Sequence, residues 1–256
     1  MRTLLSIAIA IIITGNSFSQ NHELFTDILK QHVKDGLVDY NNLRVDKRLD
    51  DYLLRLTNSY PEKMTHEKSL AFWINTYNAF TLKVVADNYP INSITELHTG
   101  GKIIGYLIGK TVWDKEFITV NKKKYSLNDI EHKILRKLGE PRIHFAIVCA
   151  SISCPILLNE AYEEAKLEKQ LEDQTKIFLS DHLRNYFDLK NRTAHLSKIF
   201  DWFAEDFGSS DEQVLKFISN YLPKNIADDV LNNITNWDIS YKDYNWNLNK
   251  IELERK

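Results

Sequence analysis

The chain has 256 residues, of which 43% are hydrophobic and 27% charged, with a formal net charge of −2. That balance supports a buried core. It excludes the electrostatic footprint of a nucleic-acid or anionic-membrane binder, because the lysines are spread and the single basic block, Lys122-Lys123-Lys124, reads as a solvated turn tip.

The first segment reads as an export signal. Arg2 supplies a positive start, Leu4 to Ile13 is apolar except for Ser6, and Ser17 and Ser19 place small residues at −3 and −1 of a cut before Gln20. The run is shorter than the about 20 apolar residues needed to cross a hydrocarbon core, so cleavage is expected over retention as an anchor. Residues 1–19 are therefore taken as the signal and the mature chain as periplasmic or secreted, without an integral membrane segment. No Ser/Gly/Pro-rich linker or repeat divides residues 20–256, which predicts one globular domain.

Helical spacing predicts a helix around Leu24, Phe25, Ile28, Leu29 and Val33, and a second around Leu49, Leu53, Leu54 and Leu56, separated by an extended piece at Gly36 to Tyr40. The segment from Glu67 to Asp87, capped by Thr65, is apolar around most of its circumference and predicts a centrally buried helix ended by Pro90. Gly100, Gly101, Gly105 and Gly109 mark turns. Phe117, Thr119 and Tyr125 bracket a hairpin across the lysine run. Ser126 with Asp129 predicts a capped helix over Leu127 to Leu138. Arg142 to Cys149 reads as a buried strand, followed by a polar loop over Ser151 to Asn159. A helix over Tyr162 to Leu179, a hairpin of Tyr186–Leu189 with Thr193–Leu196, helices at Ile199–Phe207 and Asp211–Tyr221, and a strand at Ile239–Tyr244 complete the chain. Hairpins among helices, without βαβ alternation, predict an α+β fold in which the central helix packs with a small mixed or antiparallel sheet.

Three groups of residues carry candidate chemistry. Asn75 and Asn78 share one face of the buried helix; each must be hydrogen-bonded, either to tie down backbone or to orient a substrate or catalytic side chain. His132 is a proton acceptor near neutral pH, Glu131 points about 100° away from it on a regular helix, and Arg136 lies one turn on, where it could hold an anion. The segment from His144 to Pro155 ends a predicted strand in a loop presenting Ser151, Ser153 and Cys154, a favoured position for an active site. Three readings of its cysteines stay open. Cys154 is a nucleophile served by His132 or His144, or Cys149 and Cys154 form a disulfide, as suits an exported chain, or both are buried and inert. Phe200, Phe203 and Phe207, with Trp202 and Asp206, read as core packing.

The segments Phe72-Trp-Ile-Asn-Thr-Tyr-Asn-Ala79, Leu127-Asn-Asp-Ile-Glu-His132, Pro141-Arg-Ile-His-Phe145 and Cys149-Ala-Ser-Ile-Ser-Cys-Pro155 form an ordered set of motifs. With Trp202 and Asp206-Phe207, and Tyr244-Asn-Trp-Asn-Leu248, that set resembles the domain-of-unknown-function family numbered 547 over about Ser69 to Leu248. The resemblance implies a shared fold and marks Asn75, Asn78, Glu131, His132, Arg142, His144, Cys149 and Cys154 as motif positions. It brings no activity.

The expectation is a polar pocket for a small-molecule or peptide ligand, with no cofactor and no metal. If it is catalytic, Cys154, His132 and Asn75 act as nucleophile, base and orienter in acyl transfer or hydrolysis. Asn78, Glu131, Arg136, Arg142, His144 and Ser151 then bind. A non-catalytic binding or scaffold module with a structural disulfide, and thiol redox exchange, are the alternatives.

Overall fold

The computed structural model describes residues 22–101 and 110–252. The export signal and the turns expected at Gly105 and Gly109 lie outside the described residues.

Two of the three N-terminal helices, the first and the third, form as the sequence spacing requires; the short second one was not expected. Helix α1 (Glu23–His32) buries Phe25, Ile28, Leu29 and His32. After a two-residue hairpin, β1 (Val33–Lys34) with β2 (Leu37–Val38), come the short α2 (Tyr40–Leu43) and then α3 (Lys47–Thr57), which buries Leu49, Tyr52, Leu53 and Leu56 and is capped by the Asp46 carboxylate. In α1 and α3 the buried set falls at i, i+3, i+4 and i+7, one stripe of a helix. Helix α4 (His66–Asp87) differs: from Leu70 to Leu82 every residue is buried, so it has no solvent face there. Thr65 caps it by accepting the Lys68 N–H at 3.3 Å, as expected.

The β3 (Ile118–Val120) and β4 (Lys123–Tyr125) hairpin turns at the lysine run. The Ser126/Asp129 capping box then forms, with bonds of 2.8 and 3.0 Å. It opens a π-helix, Asp129–Leu135, tightened at its end into a 3₁₀ turn, Arg136–Leu138. Such wide turns are rare and concentrate at functional sites. Glu131 and His132, adjacent on this turn, both line the cavity.

The expected strand over Arg142 to Cys149 is not one. Pro141–Phe145 is a 3₁₀ turn, and the chain then runs irregularly to the cysteine loop. Pro141 fits a first helical turn. The buried backbone beyond it finds a partner in a side chain instead of a sheet: Asn78 Nδ2 donates to Ala146 O and Asn78 Oδ1 accepts from Val148 N–H, both at 2.9 Å.

The second half of the chain contributes α5 (Leu167–Ser180), preceded by a 3₁₀ turn at Glu164–Lys166. Strands β5 (Tyr186–Asp188) and β6 (Thr193–Leu196) form the expected antiparallel hairpin, and β7 (Asp238–Tyr241) adds parallel to β6, so this sheet is mixed. Between β6 and β7 lie α6 (Ile199–Trp202), α7 (Ala204–Phe207), α8 (Asp211–Ser219) and α9 (Lys224–Asn232). The last of these escaped sequence reading, since it buries only Val230.

Hydrophobic side chains gather in two clusters, one around α4 and one around the three-stranded sheet. The Pro141–Phe145 turn feeds both: Ile143 enters the first, while Phe145 stacks on Phe178 at 4.9 Å in the second. The body is α+β, mostly helical with small sheets. Among the described residues no helix is long and apolar enough to cross a membrane.

Candidate active site

A cavity of about 330 Å³ opens where the two clusters meet, within the range of small-molecule pockets. Tyr77 comes from α4, Glu131 and His132 from the π-helix, His144 from the 3₁₀ turn, and Cys149, Cys154 and Pro155 from the loop beyond. Ile199 and Phe203 also line it, together with the rings of Trp113, Trp202, Tyr244 and Trp246.

The cysteine loop is held from three directions. The segment after β7 runs back across it, with Ile152 N–H donating to Asn247 O at 2.9 Å and Asn249 N–H to Ala150 O at 3.1 Å. Arg184 donates to the Cys154 and Ile152 carbonyls, both at 2.6 Å. Gly36, at φ +77°, lies so close beneath that a Cβ there would meet the Ile156 Cβ at 2.5 Å. Ala150 itself sits at φ +61°, a left-handed conformation that costs a non-glycine residue about 1–3 kcal/mol and recurs at functional sites.

The two sulfurs have different surroundings. Cys149 Sγ lies 3.1 Å from Ser151 Oγ and 3.1 Å from Tyr244 Oη. Burial alone would raise its thiol. Hydrogen bonds from Cys154, Ser151 and Tyr244 outweigh burial and lower it to about 7. Cys154 is buried, its Sγ accepts the Cys149 N–H at 2.8 Å, and burial together with the neighbouring Cys149 sulfur drives its thiol well above the ordinary range. Both cysteines are free. The disulfide reading is thus corrected: the Cys154 sulfur accepts the Cys149 amide hydrogen, and the Cys149 sulfur meets two hydroxyls besides Cys154.

Beside the thiol runs a chain of polar groups. Tyr77 Oη donates to Glu131 Oε2 at 3.2 Å, and Glu131 Oε1 lies 4.0 Å from His144 Nδ1. His144 Nε2 meets Asp206 Oδ2 at 2.7 Å, and Arg136 grips both Asp206 oxygens, at 2.5 and 2.8 Å. Burial raises Glu131 to about 7 against the Tyr77 bond, with the nearby Cys149 adding to the rise. Burial likewise lowers His144 to about 4, despite its bond to Asp206, so the ring is neutral. Asp206 stays below the usual carboxylate range in spite of burial, because Arg136 and His144 donate to it. His132 is also lowered, by burial first and then by the Arg136 charge. Its Nδ1 faces Arg136 Nη1 at 3.2 Å. A guanidinium only donates, so the neutral ring accepts at Nδ1 and carries its proton on Nε2.

Of the residues singled out from sequence, Glu131, His132, His144, Cys149 and Cys154 line the cavity. Ser151 bonds the Cys149 sulfur, and Arg136 stands behind the two histidines. Asn75 and Asn78 lie beneath the floor without lining it. Asn75 pairs with Tyr162, Nδ2 donating to its O at 2.8 Å and Oδ1 accepting its N–H at 2.9 Å, so each asparagine ties down backbone. Arg142 is engaged elsewhere, by Glu140 and Glu168. Sequence reasoning assigns no site role to Tyr77, Asp206, Tyr244 or Trp246. The last three lie in the C-terminal motif segments of the resemblance, which was the only signal of their importance. Among the described residues no group of three or more His, Cys, Asp or Glu is placed to hold a metal ion.

No curated protein and no solved structure matches the chain. A family described as "Protein of unknown function, DUF547" matches residues 61–179. That span contains α4, the π-helix and the cysteine loop; Asp206, Tyr244 and Trp246 lie beyond it. Residues 61–179 are thus similar to that family.

Proposed function

We propose that the protein is a thiol-dependent acyl transferase acting on amide or ester bonds, with water as the ordinary acceptor and Cys149 as the nucleophile. One observation carries this reading: a cavity-lining thiol is held near neutrality by hydrogen bonds from Cys154, Ser151 and Tyr244, beside a buried carboxyl with a similar affinity for its proton. Only a thiolate attacks, and a pKa of about 7 leaves roughly half of Cys149 ionised at neutral pH. What favours Cys149 over Cys154 is that Cys154 is buried with its thiol raised.

The thiolate attacks the carbonyl carbon, forming a C–S bond. His132, with its proton on Nε2, supplies a donor for the carbonyl oxygen. As the C–N or C–O bond breaks, Glu131 gives its proton to the leaving group. Water then attacks the thioester and passes a proton to the Glu131 carboxylate, the acid is released, and Cys149 departs as thiolate. Tyr77, which donates to Glu131 at 3.2 Å, holds it in place.

The test is acylation with p-nitrophenyl acetate followed by site-resolved mass spectrometry. An acetyl adduct on Cys149, lost in Cys149→Ala and kept in Cys154→Ala, is expected. An adduct on Cys154, or undiminished turnover in Cys149→Ala, overturns the reading.

The contrast between the two thiols favours one second reading, thiol–disulfide exchange, with Cys154 resolving a mixed disulfide on Cys149. That activity would be lost in Cys154→Ala, whereas acyl transfer would survive. We also place the mature chain outside the cytoplasm, on the strength of Arg2, the Leu4–Ile13 run and Ser17 and Ser19. N-terminal sequencing of the exported protein should begin at Gln20; a retained Met1 contradicts this.

A further inference from the structure

The outer half of the cavity is walled by aromatic rings. Trp246 stands at its centre, 4.5 Å from Tyr244, 5.7 Å from Trp202 and 5.7 Å from Trp113 between ring centroids. Trp202 packs on Tyr244 at 4.8 Å and is still 46% exposed. Trp113 leans on the first hydrophobic cluster, but Trp202 and Trp246 belong to neither cluster and are not spent on a core. Aromatic faces attract apolar groups, and they attract cations through their negative π clouds.

Charge decides between those ligands. Among the described residues no lysine or arginine lines the cavity. Two cations stand behind the lining and both are paired: Arg136 is held by both oxygens of Asp206, and Arg184, behind the Cys154 carbonyl, is paired with Asp181. The ionisable groups that do face the cavity are Glu131, Cys149 and Cys154, the neutral His132 and His144, and the phenols of Tyr77 and Tyr244. None of these brings a positive charge at neutral pH, and two can bring a negative one. A carboxylate ligand would find no counter-charge, whereas an ammonium would find three indole faces and an acidic interior.

We propose that the Trp113–Trp202–Trp246 wall is the subsite for an alkylammonium group, so that the substrate is an acylated alkylamine whose amine side lies against the indoles. The inference rests on the acyl-transfer reading for its chemical step. In that step the amine leaves after taking the Glu131 proton and becomes an ammonium against the wall once it gains a second proton from water. The acid produced by hydrolysis is an anion in a cavity that offers it no cation, which favours its release.

The test is calorimetric titration of the Cys149→Ala protein at fixed ionic strength with n-butylammonium, 1-butanol and butyrate. Because this variant has no nucleophile, binding is measured whether or not the acyl-transfer reading holds. Expected is saturable binding of n-butylammonium, about tenfold tighter than 1-butanol, with butyrate weaker than both. Adding Trp202→Leu should weaken ammonium binding about fivefold or more, and Trp202→Phe should restore part of it. Trp202 is half-exposed, so both variants should keep the parent's unfolding midpoint. Equal binding of the alcohol, tighter binding of butyrate, or an unchanged affinity in Trp202→Leu overturns the assignment. Ammonium binding without any acylation of Cys149 in the wild-type protein would keep this inference and reject the catalytic one.

Discussion

Replacing Tyr244 by Phe removes one hydroxyl from the Cys149 sulfur, a contact of 3.1 Å, and leaves the ring to pack on Trp202 and Trp246 as before. A hydrogen bond to a charged group is worth about 1.5–3 kcal/mol. At about 1.36 kcal/mol per tenfold change in proton affinity, its loss moves the thiol from about 7 to about 8–9. The thiolate fraction at pH 7 then falls from about one half to one tenth or below, so alkylation slows about fivefold or more. The assay is the rate of iodoacetamide modification at Cys149 from pH 5 to 10, read by site-resolved mass spectrometry. A midpoint still near 7 in Tyr244→Phe would refute the assignment of the lowered thiol to this hydroxyl. A wild-type midpoint at the ordinary thiol value would refute the lowering itself.

Asn78→Ala strips partners from the Ala146 carbonyl and the Val148 amide, both buried, and should destabilise by about 2–4 kcal/mol in urea titrations; a loss under 1 kcal/mol contradicts the clamp. Glu131 is raised from 4.5 to about 7, so its contribution to stability is fully present below pH 4.5 and is lost as pH rises through 7. Glu131→Gln should therefore gain on wild type by about 3 kcal/mol between pH 4.5 and 7.5, and a pH-independent difference in urea unfolding sinks the claim. Arg142→Ala breaks the bonds to Glu140 and Glu168 and should lower the thermal midpoint while leaving Cys149 alkylation unchanged. A slowed alkylation would put Arg142 in the site after all.

The elements with strong local signals were legible. Thr65 and the apolar run behind it define α4 to within a residue of the expected span, and the Ser126/Asp129 box forms as read. What failed was local logic applied where a distant side chain supplies the backbone partner. The run from Arg142 to Val148 has a strand's composition, but its hydrogen bonds go to Asn78 on a helix. The π-helix was hidden for a related reason: its sequence is helical, and the wider turn shows only in the structure. At the site, the interior residues lay in a compact stretch from Tyr77 to Pro155. Sequence could weigh Cys149 against Cys154 only by compartment and spacing, because Tyr244, which meets the Cys149 sulfur, is 95 residues away.

That separation also orders events in time. The polypeptide is made from its N-terminus, so the thiol exists before the hydroxyl that tunes it. At about 5–20 residues per second, ninety-five residues take roughly 5–20 seconds of synthesis. During that interval Cys149 lacks Tyr244 and the backbone bonds from Asn245, Asn247 and Asn249 that shape its loop. The nascent chain thus carries a cysteine still lacking that tuning hydroxyl, and the low-pKa thiol is assembled only when the final described segment docks.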